Sequence, residues 1–265
     1  MPSLDPSYDT FPRIEREFGV FLDESLDSRG PDSLFDIVAG LGLPPGSRVL
    51  DLGCGEGGQS LDLARRFGFR VTGVDPVARH IDLARAALAG ADDAMDVTFE
   101  RGFAEEIPFE AASFDLIWCR EVLVLIESLD AFFAECRRVL RPGGLMLLYQ
   151  MFSGPRMTPE EANDLWESQV GFAASADAAN VEAALGAAGF IMEQRTDFGG
   201  EWGEYAEEQS AAGTRRLLHA ARLLREPERY IARFGQSNYD IMLGDCLWHV
   251  YRMIGKLTGR AYVLS

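Results

Sequence analysis

Val49-Leu50-Asp51-Leu52-Gly53-Cys54-Gly55-Glu56-Gly57-Gly58 decides how this chain is read. An apolar run carrying one acid passes straight into glycines, which is the signature of a buried strand ending in a tight turn. Glycine at 53, 55 and 58 lets the backbone turn sharply and lets a ligand approach it at the start of a helix. The spacing Gly53-x-Gly55-x-x-Gly58 also fits a dinucleotide fingerprint, with Asp75 standing about 20 residues further on. Asp51 separates the two readings. A carboxylate at the turn repels a pyrophosphate and suits an ammonium or sulfonium.

Outward from this stretch, strands and helices alternate. Helix 57–67 precedes strand 70–74, and helix 77–90 precedes strand 96–101. Strand 114–119 precedes helix 128–140, and strand 144–151 follows the turn Arg141-Pro142-Gly143-Gly144. Strands such as Arg70-Val71-Thr72-Gly73-Val74 are apolar on both sides, as expected where helices cover both faces of a parallel sheet. The pattern predicts an α/β fold, doubly wound, with a mostly parallel seven-stranded sheet.

Upstream, 14–26 reads as a helix, and a second helix starts at Asp32 or Ser33 and runs through Leu41. Downstream, helices near 158–169 and 178–188 lead to strand 190–197. A long helical stretch, 203–256, follows with a break near Pro227, and the chain closes with strand 260–264. Residues 1–265 therefore read as one domain. It comprises an N-terminal helical segment (1–45), a ligand-binding core (46–152) and a substrate side (153–265). The helical lid of the substrate side, at about 203–256, covers the carboxyl edge of the sheet.

Twenty-five basic against 42 acidic residues give a net charge of −17. Nucleic acid and anionic membranes repel such a chain. The basic cluster Arg215, Arg216, Arg222 and Arg225 has helical spacing and reads as a solvated face. Lys256 is the only lysine, and alanine is abundant, as in high-GC bacterial genomes. Cys54, Cys119, Cys136 and Cys246 show no Cys-x-x-Cys spacing, which argues against a zinc site or a disulfide framework. Reduced thiols of a cytoplasmic protein are the simplest account. Neither a signal peptide nor an apolar run approaching the ~18 residues of a membrane helix is apparent.

Three more motifs stand in order: Ile107-Pro108-Phe109, Ser113-Phe114-Asp115-Leu116-Ile117 and Arg141-Pro142-Gly143-Gly144. With the glycine turn, they make the chain resemble the class I S-adenosylmethionine-dependent methyltransferases. The nearest group is the small-molecule one that includes the ubiquinone/menaquinone-type C-methyltransferases. The resemblance covers residues 46–152 and implies S-adenosylmethionine as cofactor. It implies that Asp51, Gly53 and Gly55 line the methionine part, with Cys54 contributing backbone. Asp75 would hold the ribose hydroxyls, Pro76 would lie against the adenine, and Cys119 would offer its backbone carbonyl to the ammonium. Phe103 stands where the family often has Asp; it would pack on the adenine ring and leave the backbone of Ala104 to read the adenine edge. Many relatives carry histidine after the fourth strand. Glu121-Val122-Leu123-Val124-Leu125 has none, so no histidine base is assigned there. The absence of Asn-Pro-Pro-Tyr and Asp-Pro-Pro-Tyr argues against DNA and glutamine methylation.

The acceptor side is read from 237–255. Leu243, Leu247, Val250 and Ile254 recur at core spacing, beside a stripe of Tyr239, Met242, Cys246, His249 and Met253. Tyr239 and His249 are expected to face the acceptor cavity, with His249 as the candidate base and Asp245 orienting it from one turn away. The alternative is a partly buried histidine satisfied by Asp245. His80 and His219 are expected at the surface. Tyr8, Phe11 and Phe18 are candidates to fold over the cofactor; with Tyr149, Trp202 and Tyr205 they favour an apolar acceptor, while Glu201 and Glu204 keep a cationic amine open.

The function expected is in-line methyl transfer to an O, N or C nucleophile of a small molecule, a bacterial secondary metabolite, without a metal, by a monomer or homodimer. A cofactor-binding protein of the same fold with a non-methylating reaction, a nicotinamide oxidoreductase and a protein methyltransferase are the alternatives.

Overall fold

The structure is a computed structural model describing residues 5–91, 95–168 and 171–265, with residues 5–9 described by backbone alone. Its strands are β1 (Arg48–Leu52), β2 (Arg70–Asp75), β3 (Val97–Arg101), β4 (Phe114–Arg120), β5 (Leu140–Ser153), β6 (Met192–Gly199) and β7 (Leu257–Leu264). They form one seven-stranded sheet in the order β3-β2-β1-β4-β5-β7-β6. Only β7 is antiparallel, and it pairs on both sides, with β5 and with β6.

Successive residues of the central strands serve opposite faces. Val49, Trp118 and Leu147 enter one apolar cluster, while Leu50, Cys119 and Leu148 enter the other. Helices fill both sides. They are α1 (Asp5–Leu22), α2 (Ser33–Gly40), α3 (Gly58–Phe67), α4 (Ala78–Ala89), α5 (Leu129–Val139), α6 (Pro159–Ser168) and α7 (Ala178–Ala187). Asp177 caps α7 by accepting from the amides of Ala179 at 2.8 Å and Asn180 at 3.3 Å. No helix among the described residues is long and apolar enough to cross a membrane.

Three local differences from the sequence reading have physical causes. Helix α1 begins and ends earlier than 14–26 and carries Pro12 inside it. Arg141 to Gly144 belong to β5, where a register shift opposite Phe114 and Leu116 makes a bulge and not a turn before the strand. The lid is four helices: α8 (Glu201–Ser210), α9 (Ala212–Arg225), α10 (Pro227–Phe234) and α11 (Gln236–Met253). Pro227 opens α10 as expected, but Ala211 at φ 51° and Gly235 at φ 87° make two further breaks. Ala220, Leu223, Tyr239 and Cys246 give the lid a small core of its own.

Candidate active site

The turn after β1 is tied down by the amides of Gly53 and Cys54, which donate to the Val74 carbonyl at 2.8 and 3.0 Å. Gly53 has φ 79°, in the left-handed region, and a side chain there would run into Val122. A side-chain carbon at Gly55 or Gly58 would instead meet nothing within 4 Å, so the turn leaves room on that side. Asp75 ends β2 and is buried. Its Oδ2 accepts from the Gly55 amide at 3.0 Å, and its Oδ1 accepts from the Val77 amide at 2.9 Å. His80, expected at the surface, lies with Nδ1 3.1 Å from Asp75 Oδ1. The first turn of α4 folds its ring back toward the helix N-terminus.

Asp51 lies beneath the turn, 2% exposed, and accepts from Ser60 Oγ of α3 at 2.5 Å. Burial pushes its carboxyl up to about 6, while the Ser60 bond and Arg120 pull it down and Asp75 pushes it up. Two acids thus end neighbouring strands and make a negative well that a cation would relieve. Cys119 is fully enclosed, and burial pushes its thiol well up, leaving only its backbone for a ligand. Pro76 is exposed, and its carbonyl accepts from Arg101 Nε at 2.9 Å. The ring of Phe103 is 57% exposed, beside half-buried Ala104. A cavity of about 330 Å³ opens over the turn, lined by Gly53, Cys54, Gly55, Gly58, Gln59, Arg120 and Glu121.

Residues 49–144 match a family described as methyltransferase domain. This segment is a methyltransferase domain. Phosphoethanolamine N-methyltransferase 1 of Arabidopsis thaliana is 29% identical over 238 residues, covering 88% of this chain and 44% of the relative. The 27-O-demethylrifamycin SV methyltransferase of Amycolatopsis mediterranei is 35% identical over 149 residues, covering 55% of this chain and 54% of the relative. The chain spans about half the length of these curated relatives. In fold it is similar to Haemonchus contortus phosphoethanolamine N-methyltransferase 2. That structure has a TM-score of 0.67 at 23% identity and covers 91% of this chain and 53% of that one.

The methyltransferase domain has residues that fit the cofactor that the resemblance implies, S-adenosylmethionine. Asp75 Oδ2 takes a single protein donor and keeps accepting capacity for ribose hydroxyls. Pro76 and Val77 present an exposed apolar step for an adenine. The bare glycine backbone and the negative well suit the charged methionine end.

Arg120 and Glu121, two charged residues to which the sequence analysis gave no role, line the same cavity. Glu121 follows β4 with φ 59°, a left-handed backbone that costs a non-glycine residue on the order of 1–2 kcal/mol. Its Oε2 accepts from Gln150 Nε2 at 3.3 Å, and Gln150 Oε1 is held by the Leu123 amide at 3.0 Å. Glu121 Oε1 is enclosed without a partner. Burial pushes this carboxyl up to about 7, against the pull of Arg120, the Met151 backbone and Arg252.

The guanidinium of Arg120 lies 5.1 Å from the ring of Trp202, which stacks on Tyr149 with centroids 4.0 Å apart. Arg252, from the last turn of α11, has its Nε enclosed and unbonded. Burial lowers the pKa of both arginines. The sequence does hold a signal for Arg120 and Glu121, two charges directly after the apolar run 116–119. Arg252, inside a helix, has none.

The lid residues singled out from sequence stand elsewhere. Tyr239 is buried in the lid's own core, and its hydroxyl donates to the Leu223 carbonyl at 3.4 Å. It borders a separate cavity of about 410 Å³ between α9, α10 and α11, where His219 also lies and so is not fully solvent-facing. His249 Nε2 is 4.0 Å from Asp245, but Asp245 is engaged by Arg216 at 2.6 Å. Its Nδ1 is enclosed without a partner, and burial lowers its pKa. Neither Tyr239 nor His249 lines the cavity at the glycine turn. Phe11 and Phe18 are exposed on α1, and the side chain of Tyr8 lies outside the described residues.

Proposed function

We propose that this protein transfers a methyl group from S-adenosylmethionine to an O, N or C nucleophile of a small molecule, in the class of bacterial secondary metabolites. One observation carries this reading: in a methyltransferase domain, Asp75 is held at the glycine turn with accepting capacity left over, bonded to the amide of Gly55, which lines the cavity over that turn. S-adenosylmethionine supplies a methyl on a cationic sulfur. The protein's part is to align the nucleophile with it and to keep water out. A small-molecule acceptor is supported by the 35%-identical relative named for rifamycin methylation. The bacterial setting is supported by the alanine-rich, nearly lysine-free composition.

The four cysteines are free and buried, which is compatible with a reducing cytoplasm. In this reading residues 1–265 work as one domain, a monomer or homodimer without nucleic-acid or membrane partners. The test is calorimetry with S-adenosylhomocysteine, together with labelled methyl transfer into a small-molecule extract. Asp75→Ala is expected to weaken cofactor binding at least ~30-fold through lost charged hydrogen bonds. Wild-type protein that binds neither form of the cofactor would sink the reading. Binding without release of S-adenosylhomocysteine during turnover would favour a non-methylating reaction.

A further inference from the structure

The cluster beside the glycine turn keeps its charges apart. Among the described residues, neither Arg120 nor Arg252 forms a salt bridge, although the surface of the same molecule is laced with them. Glu121 has no cation partner either, and its Oε1, like Arg252 Nε and Trp202 Nε1, is enclosed with nothing to bond. Buried charges left unpaired are costly, and neither guanidinium of the cluster has a carboxylate within bonding distance, although Arg120 feels both Glu121 and Asp51. Such a cluster is completed by a ligand that brings a proton to the carboxylate and a negative charge to the arginines.

We propose that Glu121 is the proton acceptor for an acidic hydroxyl of the acceptor, a phenol or enol, and that Arg120 and Arg252 hold the negative charge that develops on its oxygen. This rests on the methyltransferase reading and names its acceptor class. The acceptor O–H bond breaks and its proton goes to Glu121 Oε1. An oxygen lone pair forms the bond to the methyl carbon, and the pair of the breaking carbon–sulfur bond stays on sulfur. The proton leaves Glu121 for solvent when product departs.

Geometry favours this over an ammonium-bearing acceptor, which the two guanidiniums would repel. Gln150 holds the carboxylate from one side, with its own amide fixed by Leu123. The groups facing Glu121 are Arg120, Arg252, Tyr149 and Cys119. Burial pushes both the phenol and the thiol well up, so neither competes as a base. A carboxylate titrating at about 7 is matched to proton transfer near neutrality.

The experiment uses the full chain saturated with S-adenosylhomocysteine and 3-nitrophenol as probe, at a pH above the Glu121 titration and below that of the free probe. The bound probe is expected to show its phenolate absorption band. Calorimetry in two buffers of different ionisation enthalpy is expected to find no proton released by wild type and about one released by Glu121→Gln. Arg252→Met is expected to bind the probe roughly tenfold more weakly.

A neutral-phenol spectrum, no probe binding, equal proton release in Glu121→Gln, or preferential binding of an alkylammonium probe overturns the proposal. S-adenosylhomocysteine binding is measured first in every protein. Its absence in wild type defeats the methyltransferase reading, whereas its presence without a bound phenolate defeats the acceptor assignment alone. If Glu121→Gln fails to fold, the wild-type spectrum and Arg252→Met decide.

Discussion

Glu121 combines a left-handed backbone with a carboxylate removed from water, and both have consequences that can be measured without any substrate. A carboxyl that titrates at about 7 when folded, against 4.5 ordinarily, binds its proton more tightly in the native state. The stability it adds is present at low pH and is lost as pH rises from about 4.5 to about 7. Asp51 acts in the same direction between 3.8 and about 6. His249, with its pKa lowered by burial, acts oppositely below 6.5. The comparison that isolates Glu121 is therefore wild type against Glu121→Gln at two pH values. Near pH ~5 the two should melt alike. At pH ~8 the variant should be more stable by on the order of 1–3 kcal/mol, since it carries no buried charge. Thermal melts at both pH values check this; a difference that stays constant with pH would mean that Glu121 titrates normally.

At the scale of elements, the lid explains itself through what α11 touches. This helix packs on α9, α6, α8 and α10 at once. A helix covered on several sides has no single inner stripe, so the periodicity that singles out Tyr239 and His249 does not say which neighbour they face. Tyr239→Phe should leave S-adenosylhomocysteine affinity unchanged and lower stability by about 1 kcal/mol or less, the loss of one weak hydrogen bond. A large loss of affinity would show that Tyr239 acts on the cofactor site.

The strands are far easier to read in advance. Val49, Leu50 and Leu52, and likewise 116–119, are apolar on both faces, and only a strand buried between helices tolerates that. The breaks at Ala211 and Gly235 differ in kind. An alanine forced to φ 51° carries no compositional mark.

The residues proposed to hold the cofactor are nameable from the sequence because backbone geometry and charge at one turn specify them. The whole of the proposed acceptor cluster is not, because Arg252 joins Arg120 and Glu121 only after the lid has folded back on the sheet. That return is fastened by Arg29. Its guanidinium makes a fork with Glu201 at 2.6 and 2.7 Å, bonds the Asp197 carbonyl at 2.8 Å and covers the ring of Phe198. Arg29→Ala should make residues 23–30 several-fold more susceptible to limited proteolysis, and Arg29→Lys should not restore protection because a single ammonium cannot make the fork. An unchanged cleavage rate would show that the latch contributes nothing.

Over the whole molecule, stability is unevenly spread. The two apolar clusters meet across β1, β4 and β5, whereas α10 buries no residue at all. Hydrogen exchange should find amides of β4 and β5 slowest and those of α10 at least ~100-fold faster; equal protection would contradict a lid that is only locally stable.

The position of β7 between β5 and β6 has a consequence for biosynthesis. As the chain leaves the ribosome, β6 emerges with no neighbour to join, and β5 presents a bare edge while the lid is still being translated. The sheet can close only when Leu257–Leu264 arrives and slots between them. The nascent protein must therefore hold an open, apolar edge through the synthesis of four helices, which makes that interval the moment at which it depends most on chaperones.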